Sequence, residues 1–449
     1  MNSHDMTNGP FLKNIIKYSL PLMATGILQI VYSAADLIVV GRFSGSTSLA
    51  AVGSTVSLVN LFMNLFIGLS AGTNVAVATL LGAQDKHSIS KTVHTAILFS
   101  FLCGIIVAIT GFFVSLPLLH LMKSPDDVIN LSALYLKIFF LGTPGNLVFN
   151  FGAAILRAQG DTKRPFLILS TTGLINVILN LILVIFFKMD VAGVAIATIV
   201  SQYISAICIL VILCNLKNDC RLKLSELHIH LPQLAKIISI GLPAGLQSTM
   251  FSISNVLIQS TVNSFGSIAM AGYSASLNID GVLWVSANSI SQTCMTFSSQ
   301  NYGAKKIDNI KKVYNLCLAY TSIFTLFLSA IALIFKQQIL SLFTKDPLVM
   351  ERAIERTWWL VSLYFICGTM DVAGNQLRAI GKSFTAMILT LIGTCVLRVF
   401  WILVIFPFHP TLPNVYISYP LSWIATFIVL HICVCITHKK IFQNKNSTL

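Results

Sequence analysis

Residues 19–43 read SLPLMATGILQIVYSAADLIVVGRF, an apolar run whose single charge before Arg42 is Asp36. About 20 apolar residues suffice to cross a bilayer as a helix, and such runs recur along the whole chain. The 449 residues are 55% hydrophobic and 10% charged, whereas soluble domains carry about 25% charged residues. The alternation typical of membrane barrels is absent. The sequence therefore predicts an all-α integral membrane protein, because helices then satisfy the backbone in lipid.

Twelve spans are predicted, at 15–40, 52–80, 92–116, 132–156, 165–187, 192–214, 235–262, 271–299, 312–336, 356–380, 384–406 and 416–437. Both termini then lie on one side of the membrane. That side carries 20 of the 29 Lys and Arg residues, and Arg398 lies within a span. The opposite side carries Arg42, Lys123, Lys137, Lys188, Lys336, Lys345, Arg352 and Arg356. The positive-inside rule places both termini in the cytoplasm.

The same rule accounts for the net charge of +14 without nucleic acid as a partner. The expected environment is the lipid bilayer of a bacterial inner membrane, with the protein as a monomer. The ten cysteines, mostly within apolar runs, are interpreted as reduced core residues. A metal site at His228 and His230 is not expected, because histidine pairs in polar loops are usually solvated.

An internal repeat relates the two halves of the chain. LRAQGD from Leu156 matches LRAIGK from Leu377 at a shift of 221, and GAQDK matches GAKKI at the same shift. SLPL matches GLPA at a shift of 222. We predict two six-helix lobes, 1–224 with a cytoplasmic linker and 225–449, related by an axis along the membrane normal. The GTPG segment at 142–145 indicates close packing or a bend.

A charged side chain within a span is costly in lipid, so each is a functional hypothesis. Asp36 in span 1, Asn176 and Asn180 in span 5, and Thr198 in span 6 fall within a band of roughly 10 Å in depth. Oxygen ligands suit a hard cation such as sodium, and a buried carboxylate could instead carry a proton. These four residues are the predicted cation or proton site. The alternative is that they only hydrogen-bond neighbouring helices.

The second half contains three further charges within its spans: Asp280, Asp371 and Arg398. Asp280 could attract a cationic substrate or bond a neighbouring helix. Asp371, whose counterpart in the first half is Asn150, could face the substrate cavity or pair structurally with Arg398. No Walker motif and no nucleophile triad or zinc-like cluster occurs in the sequence. ATP is therefore not the expected energy source, and neither enzymatic chemistry nor a cofactor is expected.

SLPLMATGILQIVYSAADLIVVGRF, LLGAQD, LRAQGDTKRP, NVILNLILVI with VAGVAIATIVSQ, QNYGAKK and YISYPLSWI together resemble the multidrug and toxic compound extrusion (MATE) family. The resemblance covers nearly the whole chain, and the nearest branch is the DinF-like, MepA-like bacterial antiporters. It implies a twelve-helix, two-lobed antiporter that exports organic cations and other amphipathic compounds. Uptake of sodium or protons would drive this export, which proceeds by alternating access.

The resemblance also assigns residue roles. Asp36 matches the first-helix aspartate of the family's cation site, Asn176 its fifth-helix asparagine and Thr198 its sixth-helix threonine. Asn180 occupies a position that is commonly aspartate, so this chain has one carboxylate where many relatives have two. Asp280 matches an acidic position in span 8 of relatives.

One further family position departs from the pattern. The NorM-like branch carries an aspartate eleven residues before the span-10 arginine, where this chain has Cys367. Asp371 therefore cannot inherit that role by position.

Two other functions are weighed against the antiporter. A lipid or oligosaccharide flippase of the same superfamily would need a more cationic cavity, whereas the charges within these spans are mainly acidic. A membrane sensor or scaffold without transport would be expected to carry a sizeable soluble domain, and the sequence shows none. The antiporter is the favoured prediction.

Overall fold

A computed structural model describes residues 6–122 and 124–446 of the chain. Within these residues the fold is almost entirely helical and contains no strand. Lys123, which the charge count placed on the outer side, lies outside the described residues. The prediction of an all-α fold is confirmed.

Sixteen α-helices form this part of the chain. They are α1 (Phe11–Phe43), α2 (Ser46–Ala83), α3 (Lys86–Leu121), α4 (Asp126–Leu141), α5 (Thr143–Ala158), α6 (Lys163–Leu181), α7 (Asp190–Cys214), α8 (Leu231–Asn263), α9 (Ser267–Gly303), α10 (Ile307–Ile334), α11 (Lys336–Leu340), α12 (Pro347–Val361), α13 (Tyr364–Ala379), α14 (Ser383–Thr390), α15 (Leu397–Phe400) and α16 (Leu412–Asn446). Three π-helical segments extend them, at Ile182–Phe186, Leu391–Val396 and Trp401–Ile405. Short 3-10 turns lie at Leu224–Glu226 and Phe406–Phe408.

All twelve predicted spans are helical in the described residues. Nine helices there are long and apolar enough to cross a membrane, and α4 with α5 makes a tenth if this pair, bent by 47°, is one span. The bend falls at Gly142, within the GTPG segment that predicted it. The two remaining predicted spans correspond to α9 and to α12 with α13, which do not meet that criterion of length and apolar composition.

The described chain divides into two compact units. Unit 1 contains residues 24–241, and unit 2 contains residues 6–23 together with residues 242–446. The sequence repeat gave 1–224 and 225–449 as lobes, so the structure groups the start of α1 with the second half and the start of α8 with the first. Both helices change unit next to a proline, Pro21 in α1 and Pro243 in α8. Proline cannot donate the helical hydrogen bond at its position.

Unit 1 is held together by close backbone contacts as well as by apolar side chains. A Cβ atom added to Gly72 in α2 would lie 2.4 Å from the carbonyl oxygen of Ile237 and 2.8 Å from Cα of Gly241. A Cβ added to Gly104 in α3 would lie 2.4 Å from Cα of Pro144. Glycine is therefore required where these helices meet, because any side chain would force the backbones apart.

The linker between α7 and α8 packs against α3 within unit 1. Cys220 is fully buried and Leu222 is 1% exposed. The backbone N–H of Lys223 donates to Nε2 of His94 at 3.0 Å, and that of His230 donates to Thr95 Oγ1 at 3.0 Å. This linker is thus an ordered part of unit 1.

Unit 2 has one large hydrophobic core, which draws residues from α1, α8 to α10, α12 to α14 and α16. Buried polar groups connect these helices. Gln376 in α13 accepts a hydrogen bond from Ser298 Oγ at 2.6 Å and lies 3.1 Å from Nε2 of His438. The hydroxyl of Tyr314 in α10 lies 2.8 Å from Nδ1 of His431 in α16. Paired polar groups of this kind join helices within an apolar surrounding.

Candidate functional site

The carboxylate of Asp36 lies in the part of α1 that belongs to unit 1, and an amide from α6 reaches it. Asn180 Nδ2 donates a short hydrogen bond to Asp36 Oδ1 and lies 3.3 Å from Asn176 Oδ1. Asn180 is fully buried and Asn176 is 6% exposed. The two asparagines share one face of α6, as their spacing of four residues requires.

Asn176 connects this pair to α7. Its Nδ2 lies 3.4 Å from both Thr198 Oγ1 and Ser201 Oγ. When the amide is turned through 180°, its nitrogen donates to Asp36 Oδ1 at 3.0 Å and its oxygen accepts from the backbone N–H of Thr198 at 3.3 Å. The turned orientation satisfies both ends of the amide, because nitrogen only donates and oxygen only accepts. The structure thus brings together all four residues predicted for this site.

Sequence reasoning missed two neighbours of Asp36. Ser201 joins the network through Asn176, and its position three residues after Thr198 on the same helix face is a signal that could have identified it. Tyr135 on α4 packs against the apolar cluster that contains Val39 and Val40, the residues that follow Asp36 on α1. A tyrosine in an apolar helix carries no sequence signal for such a role.

The site contains unused oxygen acceptors. Oδ1 of Asn180 is buried and makes no hydrogen bond, which normally costs about 1–3 kcal/mol. With the Asp36 carboxylate and the Thr198 hydroxyl, it forms a set of oxygen atoms of the type that hard cations prefer. The same set can hold a proton on Asp36, with the asparagine amides as partners.

Apolar side chains surround this part of unit 1. They come from α1, α2, α4, α7 and the π-helical segment after α6: Val39, Val40, Ala51, Val52, Val128, Val184, Val191 and Val194, with Leu37, Leu131 and Tyr135 packed against them. A low-dielectric surrounding strengthens the interaction of a charge with a carboxylate. Asp36 is therefore placed where the presence or absence of a bound positive charge has a large energetic effect.

Asp280 in unit 2 forms an ion pair that the sequence did not predict. Arg356 Nη2 lies 2.7 Å from Asp280 Oδ2, and Arg356 Nη1 donates to Ser276 Oγ at 2.6 Å. The side chain of Arg356 is 1% exposed and that of Asp280 is 14% exposed. Counting Arg356 among the outer-side residues did not predict this burial, because α12 already begins at Pro347 and carries Arg356 against α9. Of the two alternatives for Asp280, the ion pair supports bonding to a neighbouring helix.

Asp371 and Arg398 do not pair, so the structural alternative for Asp371 was wrong. Arg398 Nε donates to Ser422 Oγ at 2.9 Å. Asp371 forms no hydrogen bond and no ion pair with the rest of the described chain. Arg398 belongs to a short helix between two π-helical segments, which rotate a side chain away from the direction that regular α-helical spacing predicts.

Asn150 in unit 1 is the sequence counterpart of Asp371, but its bonding differs. Its Nδ2 donates to the backbone oxygen of Asn146 at 2.9 Å and to Asn146 Oδ1 at 2.8 Å. Asn150 is thus tied to its own helix, whereas Asp371 leaves its carboxylate free for another partner.

Two matched sets of membrane-spanning helices, with polar side chains inside them, define a membrane transporter. The MatE family model matches residues 21–182 and 243–404, which are two copies separated by the shift of 222 that SLPL and GLPA show. The chain belongs to the MatE family. The predicted family, the duplication and the expectation that the chain is no enzyme are confirmed.

Curated relatives are similar over most of the chain. The probable multidrug resistance protein YoeA of Bacillus subtilis is 28% identical over 374 residues, 81% of this chain and 80% of that protein. The FAD transporter of Shewanella oneidensis is 24% identical over 396 residues, 86% of each chain. A solved outward-facing structure of a multidrug resistance MATE family transporter is 22% identical, covers 99% of both chains and has a TM-score of 0.92. This last similarity concerns the fold.

Proposed function

We propose that this transporter is a secondary antiporter that exports organic cations and related amphipathic compounds in exchange for sodium ions or protons. The observation that carries the proposal is the single carboxylate of Asp36, which accepts a hydrogen bond from Asn180 within a membrane-spanning part of unit 1. A carboxylate in a membrane span marks an ion or proton pathway. The name of the relative YoeA, a probable multidrug resistance protein, is consistent with small-molecule transport.

In the proposed cycle, the ion or proton binds at Asp36 in one state of the transporter and the substrate binds in another. Coupling requires that each ligand prefers a different state, because a ligand with equal affinity for both shifts nothing. Neutralising Asp36, by a bound cation or by protonation, changes the charge that Asn176, Asn180 and Thr198 face. These groups bridge α1, α6 and α7, so a change at the carboxylate reaches three helices of unit 1.

The substrate side of the cycle is assigned to unit 2. Asp371 has a carboxylate without a hydrogen-bond partner in the described residues, which suits a cationic substrate. Asp280 is less suited, because Arg356 already neutralises it. The names of the relatives include both a multidrug resistance protein and an FAD transporter, so the substrate class has to be inferred from this chain's own residues. The proposed location is the bacterial cytoplasmic membrane, with both termini cytoplasmic and the protein monomeric.

The test is uptake of a fluorescent organic cation, ethidium, into proteoliposomes under separately imposed sodium and pH gradients. Wild-type protein should accumulate the dye under at least one gradient, and that gradient identifies the coupling ion. Asp36→Asn should abolish gradient-driven accumulation. Asp190→Asn, which removes an exposed carboxylate at the start of α7, is the matched control and should transport normally. Full accumulation by the Asp36→Asn variant would contradict the proposal.

A further inference from the structure

The guanidinium of Arg398 is a buried charge without a counter-ion. Arg398 is 5% exposed, and no carboxylate of the described chain lies within ion-pair distance of it. A charged side chain in the interior of a membrane protein normally pairs with another charge or with a polar ligand, because lipid and apolar side chains do not solvate it. Arg398 is therefore an exception that requires an explanation.

The hydrogen bond and the ring contacts of Arg398 come from α16 and leave its outer nitrogen atoms without a hydrogen-bond partner in the described residues. Nε donates to Ser422 Oγ at 2.9 Å, and the guanidinium carbon lies 4.3 Å from the ring centre of Tyr419 and 5.9 Å from that of Trp423. Neither Nη atom makes a hydrogen bond within the described residues, and neither is among the fully enclosed polar atoms that lack a partner. The two rings hold the guanidinium by cation–π contact, and both Nη atoms keep their donor capacity for a ligand.

The carboxylate of Asp280 does not serve as a counter-ion for Arg398, because it is already paired with another arginine. Asp280 Oδ2 pairs with Arg356, whose guanidinium carbon lies 4.4 Å from the ring centre of Tyr273. The hydroxyls of Tyr273 and Tyr419 are 3.2 Å apart and share a hydrogen bond. Each arginine thus contacts one tyrosine ring, Arg356 that of Tyr273 and Arg398 that of Tyr419. The two tyrosines are hydrogen-bonded to each other, but only Arg356 forms an ion pair with a carboxylate. Arg398 thus lacks the paired carboxylate that Arg356 has.

The backbone on both sides of Arg398 is π-helical, a conformation that is often found at functional sites. Arg398 lies on a single α-helical turn, Leu397–Phe400, between the π-helical segments Leu391–Val396 and Trp401–Ile405. π-helical turns are rare and often occur where a side chain must be directed at a ligand. The geometry and the charge therefore point to the same residue.

We propose that Arg398 binds an anionic oxygen group of a transported compound, a carboxylate, phosphate or sulfonate, through its two free Nη atoms. A guanidinium presents two parallel N–H donors to such a group, which gives bidentate recognition. The anion also supplies the counter-ion that Arg398 lacks. This inference rests on the proposed export function, and it extends the substrates from organic cations to compounds that carry an acidic group.

The test compares two fluorescent ligands that differ in charge alone, 7-(diethylamino)coumarin-3-carboxylate and its carboxamide. Binding to full-length protein is measured by fluorescence anisotropy in nanodiscs of phosphatidylcholine. Wild-type protein should bind the carboxylate about tenfold or more tightly than the carboxamide, as expected for a charge-assisted bidentate contact. Arg398→Gln should remove the difference. Arg398→Lys keeps the positive charge but cannot form the bidentate contact, so this variant should retain part of the preference for the carboxylate.

Arg352→Gln is the matched control, because this arginine is exposed and pairs with Glu355. This variant should keep the wild-type preference for the carboxylate over the carboxamide. If Arg398→Gln does not fold, as judged by size-exclusion chromatography, the wild-type ratio and the Arg398→Lys ratio still decide the question. Equal binding of the two coumarins to wild-type protein would overturn the proposal. So would a preference that survives in Arg398→Gln.

A lipid headgroup offers the same chemistry as an anionic substrate, so the nanodisc measurement is repeated with phosphatidylglycerol. The proposal expects the preference for the carboxylate to persist there. Its disappearance would show that a headgroup occupies Arg398 and would overturn the assignment to substrate. Failure of ethidium accumulation would refute the export function separately, because the coumarin binding ratio requires no gradient.

Discussion

Replacing Arg356 by Met should strongly destabilise the protein, because it leaves Asp280 as a buried charge without its partner. The ion pair has an N–O distance of 2.7 Å, and its two side chains are 1% and 14% exposed. Breaking such a pair from one side costs about 3–5 kcal/mol. We expect about 3 kcal/mol here, at the lower end, because Asp280 retains some access to its surroundings.

A double-mutant cycle separates the ion pair from simple loss of volume. Asp280→Asn alone should cost a similar amount, since it leaves Arg356 buried and unpaired. The double variant has no buried charge at this place, so it should be more stable than the sum of the two single effects predicts. The expected coupling energy is at least about 2 kcal/mol. The magnitude is larger than for a surface pair because water cannot replace the missing partner.

The free energy of unfolding is measured by equilibrium titration with sodium dodecyl sulfate in mixed micelles, followed by tryptophan fluorescence. Arg352→Met, one turn earlier on the same helix, is the matched control. Its pair with Glu355 is 3.0 Å long but lies at the surface, so the expected loss is below about 1 kcal/mol. The reasoning is refuted if Arg356→Met lies within about 1 kcal/mol of wild type, or if the two single effects simply add.

Two further predictions concern unit 1. Gly72→Ala should destabilise the protein by about 1–3 kcal/mol in the same titration, because its Cβ would lie 2.8 Å from Cα of Gly241; Gly53→Ala, which meets nothing within 4 Å, is the control, and equal effects would refute the argument. Asn180→Asp adds a second carboxylate beside Asp36, so sodium chloride should raise the unfolding temperature, relative to choline chloride, more than in wild type. An unchanged sodium effect would mean that the added carboxylate does not contribute to cation binding.

Depth along a helix could be predicted from the sequence, and this is why the residues that contact one another around Asp36 could be grouped in advance. Counting residues from the ends of spans placed Asp36, Asn176, Asn180 and Thr198 at one level, because each residue of a helix advances a constant 1.5 Å. The structure brings the same four side chains together. Ser201 follows from the same helical spacing and was within reach of this reasoning.

The direction in which a side chain points around its helix axis could not be predicted in the same way. This is why the pairing of Asp371, Arg398 and Arg356 in unit 2 was not predicted correctly. Asp371 and Arg398 lie at similar predicted depths, but the π-helical segments on both sides of Arg398 change the direction of its side chain. Arg356 looked like the first residue of a span, whereas α12 starts nine residues earlier at Pro347. Its burial depends on how α12 packs on α9, which hydropathy does not describe.

The grouping of residues 6–23 with unit 2, and of the start of α8 with unit 1, has a consequence for each half of the chain on its own. Each repeat supplies the beginning of its first helix to the other repeat's unit, in the manner of a domain swap. A half-chain expressed alone would therefore leave its unit without the first helical segment, because that segment belongs to the other repeat.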